Sequence, residues 1–404
     1  MTRTQPEPGT SAGLRLVLLT LSITEITSWG VLYYAFPVLA PRIAVDTGWS
    51  VAQVTAGFSV SQVVAAVLGV PVGRLLDRRG PRLVMTTGSI VAGPAVVAIA
   101  TAGSLLWWFA AWTLAGAAMS AVLYQPAFAA LTRWYGPGRV AALTTLTLVA
   151  GLASTVFAPI TAALVGPLDW RGTYLVLAAG LAVLTIPLHA FGLRLPWPAH
   201  PTERTGTAAP APETVRSRAF LALVVAFTLA AFGVYAVVVN LIPLLLDRGL
   251  TTATAAWALG LGGAGQVLGR LFYAPLSRRT TVRTRTVLVL LAGAAATAAL
   301  GLVPGPAAAL IAASIVVGAA RGIFTLVQAT AVTDRWGTTH YGYLSGVLAA
   351  PMMLAAAVAP WAGAALAGPL GGYPALFAAL AGLTAAAALL VAITDTRTAD
   401  REHP

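Results

Sequence analysis

Apolar runs of twenty or more residues, parted by short polar breaks, recur along the whole 404-residue chain. At 1.5 Å of helical rise per residue, each is long enough to cross a hydrocarbon core of about 30 Å. Twelve spans are predicted, at 14–40, 51–76, 81–102, 105–131, 140–164, 173–194, 219–246, 252–276, 284–303, 307–332, 341–366 and 373–393. The only long connection, 195–218, carries Pro196, Pro198, Pro201, Pro210 and Pro212 among polar residues. Such a segment cannot bury a core and is expected to be a mobile linker. The pattern therefore predicts a tail at 1–13, a six-helix bundle at 14–194, a linker at 195–218, a second bundle at 219–393 and a tail at 394–404.

Composition agrees with an all-α, multi-pass membrane protein. Hydrophobic residues make up 58% of the chain, charged residues 9%, and mean hydropathy is +0.84, outside the range of soluble domains. Cysteine is absent, which excludes disulfides, thiolate catalysis and cysteine-held metals. Four scattered histidines make no metal centre, and no cofactor is expected. All 24 basic residues are arginine, which reads as codon bias of a GC-rich, bacterial genome.

The net charge of +12 would suit nucleic acid, but the arginines sit in the connections between spans. Nineteen fall on one side and three, Arg42, Arg171 and Arg248, on the other. The positive-inside rule accounts for this asymmetry and places both termini in the cytoplasm, with no role for nucleic acid. The polar residues 1–13 and the long first run are expected to form a retained span with no cleaved leader.

Charge is concentrated most tightly in Gly73-Arg74-Leu75-Leu76-Asp77-Arg78-Arg79-Gly80-Pro81-Arg82, a clasp between spans 2 and 3. It has an echo after span 8, Leu276-Ser277-Arg278-Arg279, in which Ser277 stands where Asp77 stood. Gly260-Leu261-Gly262-Gly263-Ala264-Gly265 fits a dinucleotide-binding pattern but lies inside an apolar helix with no strand before it, so close helix packing is its expected role. No catalytic constellation is visible, and no enzyme is expected.

Two six-span halves, a central linker and a clasp after spans 2 and 8 resemble the major facilitator superfamily of secondary transporters. The clasp is similar to that family's signature in the loop between spans 2 and 3, with Gly73, Asp77, Arg78, Gly80 and Arg82 at its places and Pro81 a departure at a position usually basic. The resemblance implies a major facilitator fold, alternating access, and a gating role for these residues.

Three charged side chains stand out well inside the predicted spans: Glu25, Arg270 and Arg321. Each costs several kcal/mol at bilayer depth unless paired or facing a cavity, so each is a functional candidate. Their comparable depth suggests one shared site. Ser22, Glu25, Trp29 and Tyr33 form a stripe at helical spacing on span 1, Gln266 lies one turn before Arg270, and Arg321, Thr325 and Gln328 share a face of span 10. Tyr124 with Gln125, and Tyr235, add aromatic and polar groups from spans 4 and 7. The three charges sum to +1, which suits a small anion held by guanidinium. For Arg321, anion binding and a structural pair with Glu25 are equally open.

The resemblance narrows toward the monocarboxylate-transporter branch. Arg270 lies where that branch keeps a substrate-binding arginine, and Glu25 to Trp29-Gly30 is similar to its acidic–aromatic motif in span 1. Span 1 holds no lysine for the coupling role seen in some members, which leaves Glu25 as the proton carrier. The expectation is a monomeric, proton-linked transporter of a small organic anion in a bacterial plasma membrane. Drug or metabolite efflux is the alternative, and a non-transporting sensor a further one.

Overall fold

The computed structural model describes residues 11–197, 212–337 and 341–394. They form twelve long helical segments, which we number in chain order. The first unit holds α1 (Ser11–Thr47), α2 (Val51–Arg79), α3 (Pro81–Ala100), α4 (Leu105–Val122, resumed as Tyr124–Tyr135), α5 (139–168) and α6 (170–192). The second holds α7 (Arg218–Asp247), α8 (Thr252–Arg279), α9 (Val282–Leu302), α10 (Ala307–Thr330), α11 (Tyr341–Leu370) and α12 (Tyr373–Ile393). The chain divides into these compact units between Arg204 and Thr205. Length and apolarity alone pick out nine membrane-crossing stretches among the described residues. One of them, Leu105–Gly192, contains α4, α5 and α6; glycine, glutamine and arginine dilute α8 below the level that would mark it.

Helix ends are set by local chemistry. Ser50 and Gln53 form a reciprocal capping box that starts α2. Ser217, Thr251 and Thr281 each accept a 3.2 Å bond from the amide three residues on, starting α7, α8 and α9. The continuous helical run through 153–192 breaks at Asp169 (φ 54°), whose carboxylate accepts from the Gly172 amide at 2.9 Å and begins α6. Gly80 (φ 77°) turns the chain between α2 and α3, with Pro81 at the first helical position.

The two units close their cores by different means. In the first, Phe36 and Phe58 stack at 4.4 Å and Trp112 meets both edge-on at 5.3 Å. Trp108 continues this cluster toward Trp170, and Gly57 makes room for both Trp108 and Trp112. In the second, α8 and α10 approach backbone to backbone. A Cβ at Gly265, Gly269, Gly318 or Gly322 would fall under 3.0 Å from a main-chain carbonyl oxygen of the facing helix. Close packing is thus the role of the glycines that mimic a dinucleotide motif.

Two expectations need correction. The Ser22–Glu25–Trp29–Tyr33 stripe does not continue at regular α spacing, because Gly30–Tyr34 is a π-helical turn in which the Ala35 amide bonds the Gly30 carbonyl. Pro37 follows closely and lacks the amide hydrogen a regular helix would use. The connection 195–218 is also not loose from its first residue: Leu195 and Trp197 pack on the first unit, and Pro212–Arg216 is a short helix. The stretch 198–211 lies outside the described residues.

Candidate functional site

In the first unit the candidate residues gather around Glu25. Its side chain is fully buried, and Oε2 accepts a 3.0 Å bond from Trp29 Nε1, one turn along α1. Oε1 has no hydrogen-bond partner among the described residues. Trp29 lies 5.4 Å from Tyr33 and 5.0 Å from Tyr124, ring centre to ring centre, and Tyr124 stacks on Phe128 at 4.9 Å. Glu25, Trp29, Tyr33 and Tyr124 therefore form one acid–aromatic cluster. The wide turn at Gly30–Tyr34 sets how Tyr33 meets Trp29, and Gly30 gives the ring of Phe157 its place on the other side. Gln125, the neighbour of Tyr124, packs instead over Gly69 of α2.

In the second unit the glycine seam positions the polar residues. Gly322 lets α10 lie against the main chain at Gln266, and the adjacent Arg321 donates through Nη2 to Gln266 Oε1. Gln266 is buried, and Arg270 follows one turn later on α8, half-buried. Arg321 also lines a shallow, open recess with Gly233, Val237, Gly293, Thr297 and Phe324. Thr325 is exposed and donates its hydroxyl to the Arg321 carbonyl at 2.9 Å, and Gln328 is half-buried further along α10. Tyr235 is 37% exposed on α7. Gln266 and Arg321 thus form a guanidinium–amide pair, with Arg270 one turn beyond Gln266 on α8.

The clasp has a structure of its own. Asp77 pairs with Arg133, at the end of α4, across 3.6 Å, and Arg82 Nε donates to the Ala190 carbonyl at 2.8 Å. Gly73 and Arg78 are exposed. Trp197 closes over the assembly: its Nε1 donates to the Asp77 carbonyl at 3.1 Å, the Arg133 guanidinium lies 4.5 Å from its ring, and Trp134 meets it edge-on at 5.5 Å. Gly80 leaves the ring its space, since a Cβ there would crowd Trp197 at 3.2 Å. Neither Arg133 nor Trp197 stood out in the sequence. Arg133 was one of many loop arginines, and Trp197 sat in a proline-rich stretch with no periodic neighbours.

The second unit carries a different ion pair at its corresponding end. Ser277 only donates to its own helix, at Ala274 O. Arg285, in the first turn of α9, pairs instead with Asp334 beyond α10 at 2.8 Å. Asp334 also accepts from Thr330, whose hydroxyl meets that of Tyr273 on α8. This acid replaces the one missing from the clasp echo.

The chain is 32% identical over 243 residues to human monocarboxylate transporter 11, which covers 59% of this chain and 50% of that protein. It is 28% identical over 250 residues to rat monocarboxylate transporter 13, over 61% of this chain and 55% of that one. The alignments thus span about half the length of these relatives. Among solved structures, a bacterial homologue of the human lysosomal transporter Spinster superposes with a TM-score of 0.72 at 17% identity, covering 95% of this chain and 96% of the other; it speaks to the fold alone. The Major Facilitator Superfamily model matches residues 21–309 and 230–404. With twelve helices in two units and a signature clasp among the described residues, the chain belongs to the major facilitator superfamily, a family of multi-pass membrane proteins.

Proposed function

We propose that the chain moves a small organic anion, of which a monocarboxylate is the simplest case, by proton-linked alternating access. The observation that carries this reading is the division of charge inside the membrane. Glu25 is the one carboxyl buried in the described spans, and it lies among aromatics with a single donor, Trp29. The guanidinium groups at the same expected depth, Arg270 and Arg321, belong to the second unit. A carboxylate substrate would take two parallel hydrogen bonds from Arg270, with Arg321 held on Gln266 beside it. Glu25 can take up and release a proton, with Trp29 Nε1 ready to donate to the ionised form. Asp77 with Arg133 gates the end of the first unit where α2 and α4 finish. The names of the monocarboxylate relatives support the substrate class, and the arginine asymmetry supports cytoplasmic termini in a bacterial plasma membrane.

Flux into proteoliposomes under an imposed pH gradient, screened over organic anions and lipophilic cations, tests the proposal. Arg270→Ala is expected to abolish anion uptake while leaving folded, membrane-inserted protein; retained uptake would remove Arg270 from the site. Glu25→Gln is expected to leave anion exchange but flatten its dependence on the pH gradient, and an unchanged dependence would exclude Glu25 as the carrier. A second reading, efflux of drugs or metabolites, is favoured by the Trp29–Tyr33–Tyr124–Phe128 aromatic surface. Transport of lipophilic cations without response to carboxylates would select it.

A further inference from the structure

At one end of the second unit a shallow, open recess is lined by Ala219, Leu223, Arg283, Arg335, Val391 and Thr394. Five of the six lie at or next to helix ends, and Leu223 is in the second turn of α7. Ala219 and Arg283 are in the first turns of α7 and α9, Val391 and Thr394 close α12, and Arg335 sits in the short helix Thr333–Trp336 that follows α10. Since α9 is 21 residues long, a span from its first turn to its last matches the hydrocarbon thickness. The recess therefore opens at the level of the lipid headgroups. Trp336, edge-on to Phe220 at 5.2 Å, adds an aromatic ring of the kind that marks this depth.

Among the described residues the local charge is short of anions. Three arginines, Arg283, Arg285 and Arg335, stand near one described carboxylate, and Asp334 is already taken by Arg285 at 2.8 Å. Arg335 donates to neutral oxygens only, the Ala331 carbonyl at 3.2 Å and the Thr286 hydroxyl at 3.1 Å. Burial pushes its pKa down to about 10, with Asp334 working against the shift and Arg285 adding to it. Arg283 is exposed on the rim. On the other wall Leu223 and Val391 are buried side chains of the unit's own core. Two guanidinium groups above an apolar wall at headgroup depth match an anionic group attached to an acyl chain.

We propose that this recess binds the phosphate of an anionic phospholipid, held by Arg335 and Arg283, with Leu223 and Val391 against the start of its acyl region. The site is separate from the intramembrane residues assigned to transport, so its fate does not depend on which solute the protein carries.

Native mass spectrometry of the full-length protein in detergent, with phosphatidylglycerol and phosphatidylcholine in competition, tests this. Wild type is expected to retain phosphatidylglycerol preferentially. Arg283→Gln and Arg335→Gln should each reduce that preference roughly tenfold, as removal of one charge-assisted contact implies. Arg335 also bonds Thr286 and Ala331, so its loss could disturb folding; Arg283, on the rim, supplies the variant that leaves the fold intact. Equal retention of both lipids, or a preference unchanged in Arg283→Gln, would overturn the site. Excess inorganic phosphate should not displace the lipid. If it does, the recess recognises a soluble phosphate and the lipid assignment fails.

Discussion

The two units repeat one architecture but fasten it differently at two places. In the first, α2 and α4 meet largely through aromatic rings, with Trp108 and Trp112 packed over Gly57, and come main chain to main chain at a single glycine, Gly116 against the Ser61 carbonyl. In the second, the equivalent α8 and α10 meet main chain to main chain, through glycines on both sides. The end ion pairs also differ. Asp77 and Arg133 join α2 to α4 across 3.6 Å with the acid 48% and the arginine 12% exposed, whereas Arg285 and Asp334 join α9 to the end of α10 at 2.8 Å with the acid 26% and the arginine 6% exposed. Duplication therefore conserves the path of the chain and not the chemistry of its fastenings. A loose, exposed pair can break within a transport cycle at small cost, while a tight, buried one holds its unit together.

The glycine seam offers the largest test of this difference. Gly318→Ala would place a Cβ against the Gly262 carbonyl, which is backbone and cannot rotate away. We expect it to destabilise the protein by more than about 3 kcal/mol, visible as loss of a monodisperse peak and a lower melting temperature. Gly346→Ala, which meets nothing within 4 Å, should be nearly silent. Similar melting for both would show that the seam is looser than the structure describes.

The buried ion pair comes next. Arg285→Gln leaves Asp334 without its charged partner and should cost about 3 kcal/mol in thermal or denaturant unfolding. The exposed pair should give the smallest change in stability. Asp77→Asn is expected to cost less than about 1 kcal/mol, yet to shift the balance of conformations, read as altered labelling of single cysteines introduced on either side of the membrane. Its substrate profile should stay that of the wild type. If Asp77→Asn proved as destabilising as Arg285→Gln, the contrast between a releasable and a permanent fastening would collapse.

Much of this was legible in advance because bilayers impose a simple rule. A run of apolar residues must be a helix, so the twelve segments, the Gly80–Pro81 turn and the glycine packing of α8 could be read from residue order. Glu25 and Trp29 also lie one regular turn apart, and the bond between them follows from that spacing. Beyond Trp29 the spacing departs from a regular helix through a π-helical turn that no local signal announces, although Tyr33 still meets Trp29 at 5.4 Å. The seat of Trp197 on Arg133 and Asp77 was hidden for another reason. It depends on contacts more than sixty residues apart, from a segment whose composition reads as linker.

Sequence by itself determined the membrane class, the duplicated order of helices, the clasp signature and the short roster of charges placed at bilayer depth. These follow from local rules of hydropathy, helix spacing and turn chemistry, which act through near neighbours in the chain. Tertiary structure alone decided which partner three other charged groups take: Gln266 for Arg321, Arg133 for Asp77 and Asp334 for Arg285. In all three the partner is remote in the chain. Only the distance of approach between packed helices, set by a run of glycines in one unit and mostly by aromatic rings in the other, brings such side chains within bonding range.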